Sequence, residues 1–178
     1  MGARAILLTA LALLGGCGGE ESRNMSASEV AGALDSLPIE PGLWEIASDV
    51  TDVGAPNLPV EVQRRMIGPR QRLRSCVTPE QAARPSAGFL AAREAGQGCS
   101  YADFAMQGGR MTGTMRCAEP DGGATVARMD GTYRRDQYVL RMAIETPMPD
   151  GVTMRIGTRT TGRRIGACVD PGQEGNSG

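Results

Sequence analysis

Cysteine is the side chain that gives this sequence most of its possible chemistry. The chain has 178 residues and five cysteines, it contains no histidine, and all nineteen of its basic residues are arginine. Without histidine, Ser-His and Cys-His nucleophile pairs and imidazole metal ligands are excluded. Without lysine, Schiff-base catalysis and a Walker lysine are excluded as well. The cysteines themselves remain available for acylation, disulfide formation or thiolate coordination of a metal.

Cys17 stands at the end of a segment typical of an export signal. Arg4 is followed by the apolar run Ala5 to Leu14 and then by Gly15-Gly16-Cys17. The run is too short to span a bilayer but suits a signal-peptide core. Small residues directly before a cysteine resemble the lipobox of bacterial lipoproteins, which implies cleavage after residue 16 and acylation of Cys17. We therefore expect a lipid anchor at Cys17, and several acyl chains together would make that anchor stable. The alternative is an ordinary secretory signal.

The residues after the expected anchor are small and polar. Residues 17–38 are predicted to form a flexible tether, in which Ser28 caps a short helix through Leu37. Gly18 follows the enteric rule for outer-membrane lipoproteins, so we expect the periplasmic side of the envelope, at the outer membrane. Residues 18–61 carry nine acids and one arginine, whereas residues 62–178 carry seventeen arginines and eleven acids. The net charge of −1 gives no reason to expect a nucleic-acid partner.

From Pro41 onward, apolar and polar residues alternate with the period of two that is typical of antiparallel strands. Thr78-Pro79-Glu80-Gln81 predicts a helix start, with Thr78 as N-cap and Gln81 completing a capping box. The predicted fold is mainly β: an antiparallel meander of about seven strands, curled into a half-barrel, with one short helix after the second strand. This domain is expected to cover residues 39–170 and to be followed by a disordered tail, 171–178.

The alternation predicts the register of three successive hairpins. The expected pairs are Cys99–Cys117, Tyr101–Met115 and Ala105–Met111 in the first hairpin, Tyr133–Tyr138, Gly131–Leu140 and Met129–Met142 in the second, and Thr146–Val152, Ile144–Met154 and Met142–Ile156 in the third. A slip by one residue would exchange the two faces of the sheet, so the hydrophobic pattern specifies this register well.

The two faces differ in chemistry. The inner face is predicted to gather Tyr101, Met115, Met129, Leu140, Met142 and Met154. This set is either closed core or a pliable site for a small apolar ligand, with copper(I) on thioethers as a third possibility. Asp103 is expected on the same face, opposite Gly113, bonded to the backbone or to an arginine. The outer face is predicted to carry Arg110, Arg116, Arg128, Arg134, Arg141, Arg155 and Arg159. These arginines are either a solvated surface or a contact for lipid phosphates and other envelope anions.

Four further cysteines allow three disulfide pairings in an exported chain. The first hairpin register favours Cys99–Cys117, because directly opposed strand residues lie within disulfide distance. This leaves Cys76–Cys168, which closes a long loop worth about 4 kcal/mol in the chain-entropy model. No pair has the CxxC spacing of a zinc site, so we expect no metal and no cofactor.

Six short pieces of the sequence together resemble the DUF3617 family of bacterial envelope proteins. They are Pro41-Gly42-Leu43-Trp44-Glu45, Cys76-Val77-Thr78-Pro79-Glu80, Gly98-Cys99-Ser100-Tyr101, Gly113-Thr114-Met115-Arg116-Cys117, Gly131-Thr132-Tyr133 and Thr161-Gly162-Arg163-Arg164-Ile165-Gly166-Ala167-Cys168. The resemblance implies an exported, often lipidated, β-rich protein and no known activity. Gly42-Leu43-Trp44 also resembles the Gly-x-Trp of lipocalins, so we expect Trp44 to pack against Arg163 or Arg164 of the last strand.

The expected function is therefore a non-enzymatic role. No nucleophile with a base and no paired carboxylates stand out in the sequence. We expect an envelope lipoprotein with a structural or interaction role, bound to the membrane by its anchor and possessing an unknown envelope partner. The alternative is a carrier or sensor that binds a small apolar ligand on the methionine-lined inner face.

Overall fold

The computed structural model describes residues 25–85, 99–120, 122–148 and 151–168, except for the side chain at position 70. Its helices are α1 (Ala27–Leu34), α2 (Val60–Met66) and α3 (Pro79–Ala83). Its strands are β1 (Gly42–Gly54), β2 (Gly68–Val77), β3 (Cys99–Gln107), β4 (Arg110–Ala118), β5 (Ala124–Tyr133), β6 (Gln137–Pro147) and β7 (Thr153–Gly166). None of the helices in these ranges is long and apolar enough to cross a membrane. The predicted signal peptide, Cys17 and the tail 171–178 lie outside the described residues.

The seven strands form one antiparallel sheet in the order β2-β1-β7-β6-β5-β4-β3. Strands β3 to β7 follow one another as hairpins, and the β1–β2 hairpin joins them because β1 pairs with β7. Strands β2 and β3 are the two edges, so the sheet is open and is not closed into a barrel. The predicted mainly β fold is confirmed, with α2 after β1 and α3 after β2.

Two helices begin with capping boxes. In a capping box the side chain of the N-cap residue accepts from the backbone amide three residues later, and the side chain of that later residue accepts from the backbone amide of the N-cap residue. At α3 the Thr78 hydroxyl accepts from the Gln81 amide at 3.2 Å and the Gln81 side chain accepts from the Thr78 amide at 2.9 Å, as predicted. At α1 the cap is Ser26 rather than the predicted Ser28. The reason is Glu29, whose carboxylate accepts from the Ser26 amide at 2.7 Å.

The chain from Met25 to Leu37 is docked on the sheet, and is not the flexible tether that was predicted for residues 17–38. Val30, Leu34 and Leu37 are 2%, 5% and 7% exposed. They form a core cluster with Tyr101, Met111, Met115 and Ala127. Met25 also exchanges two backbone hydrogen bonds with Tyr101, at 2.7 and 3.1 Å. Burial of one apolar stripe against the sheet therefore fixes a segment whose composition is typical of a linker.

The second hairpin has the predicted register, and the first has it only in part. Cys99 lies opposite Cys117 as expected, but Ala105 pairs with Thr112 and not with Met111. A bulge after Ala102 causes this shift of one residue. Asp103 occupies the bulge with a φ of +52° and is exposed, so it does not lie on the inner face as predicted.

The third hairpin is shifted by two residues from its predicted register. Ile144 pairs with Ile156 instead of Met154, and Thr146 pairs with Met154 instead of Val152. The Met148 amide donates to the Val152 carbonyl at 2.7 Å, which places the turn one position later along the chain. Because the shift is even, every residue keeps its predicted face.

Both predicted disulfides are present. Cys99–Cys117 joins the paired strands β3 and β4, with a Cα–Cα distance of 4.0 Å. Cys76–Cys168 ties the end of β2 to the residues after β7, with a Cα–Cα distance of 5.5 Å and a sequence separation of 92. The second bridge therefore holds an edge strand to the far end of the chain.

Candidate functional site

The apolar inner face, predicted as a ligand site, is mostly closed core. Tyr101 and Met115 are 4% and 8% exposed beneath α1. Met129, Leu140 and Met142 are partly buried against the same cluster. Of the six predicted residues, Met154 alone lies outside it, near the start of β7. The structure thus brings five of them together as packing partners.

The space beside this cluster is small. A cavity between Leu37, Met111 and Leu140 has a volume of about 20 Å³, room for roughly one water molecule. Interdigitated side chains of this kind are typical of a protein interior. An apolar ligand would therefore have to displace α1 to reach Tyr101 and Met115.

The first and last strands meet around Trp44, whose side chain lies on the inner face. Its indole stacks on Tyr138 with ring centroids 6.1 Å apart, and its Nε1 donates to the Glu40 carbonyl at 3.0 Å. Gly162 permits this contact, because a Cβ on it would overlap the Tyr138 ring. Burial raises the pKa of Tyr138. The stacked rings thus meet across Gly162 of β7, the strand that lies between β1 and β6.

The arginines that were predicted to pack on Trp44 have other partners. Arg164 lies opposite Trp44 in the register, but its Nε donates to the Pro41 carbonyl at 2.8 Å. Arg163 points to the other face and pairs with Glu45 at 3.7 Å. Within the described residues, the ring contact of Trp44 is with Tyr138. The pairing of first and last strands was predicted correctly, but the aromatic partner was missed.

The outer face of the sheet is rich in arginine. The strand registers place on it Arg72, Arg74, Arg110, Arg116, Arg128, Arg141, Arg155, Arg159 and Arg163. Arg134, which was also predicted here, lies in the turn after β5. The acids that share this face in the same registers are Glu45, Asp49, Asp52, Asp130 and Glu145. We call this surface of nine arginines and five acids the arginine face.

Three carboxylates on the arginine face are each shared by two arginines. The trios are Arg110–Asp130–Arg141, Arg128–Glu145–Arg155 and Arg74–Glu45–Arg163, with N–O distances from 2.8 to 3.9 Å. Each trio keeps one excess positive charge. The arginine side chains are 60–70% exposed, so each pair contributes only about 0.2–1 kcal/mol to stability. Arg116 and Arg159 form no ion pair with any described residue.

A cleft of about 530 Å³ lies within the arginine face. Its floor contains Ala143 of β6 and Gly157 of β7, which pair directly and carry no long side chain. The arginines that line it are Arg128, Arg141, Arg155 and Arg159. Its lining also includes Thr51 and Asp52 of β1 and Asp130 of β5. We call this cleft the arginine basin.

The irregular part of β1 borders the arginine basin. Thr51 stands between two residues of β1 that pair with consecutive residues of β7, which marks a bulge. A Cβ on Gly157 would lie 2.9 Å from the Thr51 hydroxyl and 3.1 Å from the Asp52 Cβ. The bulge therefore brings a hydroxyl and a carboxylate to the side of the basin opposite β5.

The arginines around the basin offer anion-binding chemistry. The described residues contain no group of three or more His, Cys, Asp or Glu side chains that would hold a metal ion. Hydrogen bonds from Ser26 lower the pKa of Glu29, and hydrogen bonds involving its own amide and Thr78 lower that of Glu80. These two carboxyls belong to helix starts. Guanidinium groups around a small-residue floor instead match planar or tetrahedral oxyanions.

Comparison with known proteins agrees with the resemblance seen in the sequence. A family model described as "Protein of unknown function (DUF3617)" matches residues 39–168. No curated protein and no solved structure matches the chain. The matched region contains all seven strands and both disulfides, and it begins just after α1. This chain therefore belongs to the DUF3617 family.

Proposed function

We propose that this protein is a non-enzymatic, exported lipoprotein that contacts anionic groups of the bacterial envelope through its arginine face. The observation that carries the proposal is the difference between the two faces of the sheet. On one face, α1 packs on apolar side chains and Trp44 stacks on Tyr138, whereas the other face carries nine arginines and five acids. A surface with an excess of one charge attracts partners of the opposite charge.

The position of the docked segment supports a location close to a membrane. Met25, the first described residue, follows Cys17 by eight positions and is bonded to Tyr101 of β3. A chain of that length spans at most about 29 Å when fully extended. Acylation of Cys17 would therefore hold the sheet within a short distance of the bilayer.

Lipidation is tested by replacing Cys17 with serine and fractionating cells. The wild-type protein is expected in the membrane fraction with the electrophoretic mobility of an acylated chain. The C17S protein is expected to lose the membrane association and to migrate differently. Continued membrane association with unchanged mobility would contradict the anchor.

The contact surface is tested with two arginine triples in the C17S background. The first triple changes Arg116, Arg128 and Arg159 of the arginine face to glutamine. The control changes Arg64, Arg65 and Arg135, which lie on α2 and in a turn, so both triples lose the same charge. On an immobilised sulfated polysaccharide, the face triple should elute at lower salt than the control. Equal losses in the two triples would contradict an arginine-face contact.

The alternative function, an apolar-ligand carrier, has less support. The cavity beside the core cluster holds about 20 Å³, whereas sites for small molecules usually enclose about 300–1,000 Å³. Displacement of α1 would expose buried Val30 and Leu34. Binding of a hydrophobic dye to the inner face of the wild-type chain would favour the carrier function over a contact through the arginine face.

A further inference from the structure

We propose that the arginine basin is a binding site for the phosphate group of a membrane lipid. The inference rests on the proposed function, since it names the partner of the same arginine face. It goes further by locating the contact at one cleft, around the paired residues Ala143 and Gly157. It predicts a preference for a phosphomonoester headgroup, which offers three free oxygens to several guanidinium groups, over a phosphodiester headgroup.

The floor of the basin is what distinguishes it from the rest of the arginine face. Ala143 and Gly157 leave a gap between the longer side chains of Arg128, Arg141, Arg155 and Arg159. Arg128 is paired with Ala143 from β5, and Arg155 and Arg159 flank Gly157 along β7. A ligand placed in this gap therefore meets guanidinium groups from two sides, and each of them can donate two N–H bonds to a phosphate.

The arginines around the basin have hydrogen-bonding capacity to spare. Arg128 and Arg155 share the carboxylate of Glu145, at 3.4 and 3.3 Å. A guanidinium has five N–H donors, so sharing one carboxylate leaves most of them available. Arg159 forms no ion pair with a described residue. Because exposed ion pairs contribute little to stability, these side chains can turn towards a phosphate at small cost.

The size of the basin favours a lipid headgroup over a free phosphate ion. Its volume of about 530 Å³ falls within the range of sites that take small organic molecules. The methyl groups of Ala143 and Thr51 and the aliphatic stems of the arginines offer apolar contact beside the charged groups. The proposed anchor at Cys17 would also keep the sheet within reach of lipid phosphates, whereas an acidic protein partner has no comparable constraint.

The test uses cosedimentation of the C17S chain with phosphatidylcholine vesicles that contain phosphatidic acid or, for comparison, phosphatidylglycerol. The A143F substitution fills the basin and keeps every arginine. The A105F substitution is the matched control, because Ala105 is an exposed alanine of the same face on edge strand β3. A143F should weaken binding to phosphatidic acid by about tenfold, as expected for one lost charge-assisted hydrogen bond, and A105F by less than about twofold.

A second variant guards against a misfolded A143F chain. Arg128→Gln with Arg155→Gln removes the two arginines that share Glu145, and it should reduce binding to phosphatidic acid by at least the same factor. Near-ultraviolet circular dichroism of every variant reports whether the Trp44–Tyr138 region keeps its native packing.

The outcomes separate this proposal from the proposed function. Unchanged binding by a folded A143F chain overturns the basin site while leaving a diffuse arginine-face contact. Equal binding to phosphatidylglycerol, whose phosphodiester has two free oxygens, overturns the preference for a phosphomonoester. Inorganic phosphate and polyglutamate are added as competitors. If either competes as strongly as phosphatidic acid vesicles do, the claim that the bound phosphate belongs to a lipid is overturned. If the wild-type chain bound none of the polyanions, the proposed function itself would be contradicted.

Discussion

Substitution of Leu34 by alanine tests whether α1 closes the apolar face. The Leu34 side chain is 5% exposed and belongs to the cluster that contains Tyr101, Met111 and Met115. The change removes apolar groups worth about 0.8 kcal/mol for each buried CH₂. It also leaves a cavity that the helix and sheet refill only in part, so the total loss should be about 2–5 kcal/mol.

The loss is measured by urea and thermal unfolding of the C17S chain with its disulfides intact, followed by the fluorescence of Trp44. A loss of about 3 kcal/mol lowers the melting temperature of a domain of this size by roughly 6–12 °C. Val60→Ala is the control, because Val60 on α2 is 51% exposed. Its cost should stay within about 0.5 kcal/mol.

Equal stability of the two variants would refute the closed-core interpretation. Helix α1 would then rest on the sheet without close packing, and Tyr101 and Met115 would be accessible to a ligand. Binding of a hydrophobic dye to the wild-type chain would point the same way. A large loss in L34A alone, with new dye binding only in that variant, supports a closed core beneath α1.

Three further predictions concern the rest of the fold. Non-reducing peptide mapping should recover Cys99 linked to Cys117 and Cys76 linked to Cys168, and a Cys76–Cys99 peptide would refute the β3–β4 register. Gly162→Ala should cost about 1–3 kcal/mol in urea unfolding because a Cβ there overlaps Tyr138, whereas Gly166→Ala, with open space around it, is the control. Because burial raises the pKa of Tyr138, the folded chain keeps the phenol proton to higher pH than the unfolded chain. The associated stability is complete below about pH 10 and is lost as pH rises through the folded pKa. The free energy of unfolding of Tyr138→Phe should therefore fall less steeply with pH in the alkaline range than that of the wild type. Identical pH dependence of the two chains would contradict the burial.

The sequence predicted the meander and both disulfides because strand faces follow a period of two. A register error of two residues in the third hairpin left every face unchanged. The bulge at Asp103 inserts one residue into β3, which a regular alternation of faces does not predict. In the structure Phe104 packs against the core cluster, and its ring lies 3.0 Å from a Cβ built on Gly113.

The docked helix and the basin were beyond reach of sequence patterns for different reasons. Helix α1 has small and polar residues around Val30 and Leu34, and tertiary burial decides whether such a segment docks or stays free. The basin depends on the pairing of Ala143 with Gly157. The register predicted from the sequence placed Ala143 opposite Arg155, which would have put a long side chain where the structure has the gap.

The central claim, that the arginine face rather than the apolar face meets the envelope, is tested most directly by an arginine footprint. The C17S chain is treated with phenylglyoxal in the absence and presence of phosphatidic acid vesicles, and modification at each arginine is read by mass spectrometry. We predict that the vesicles protect Arg128, Arg141, Arg155 and Arg159 and leave Arg64 and Arg135 as reactive as before. Equal protection at all six sites, or protection of Arg64 and Arg135 alone, would contradict an arginine-face contact.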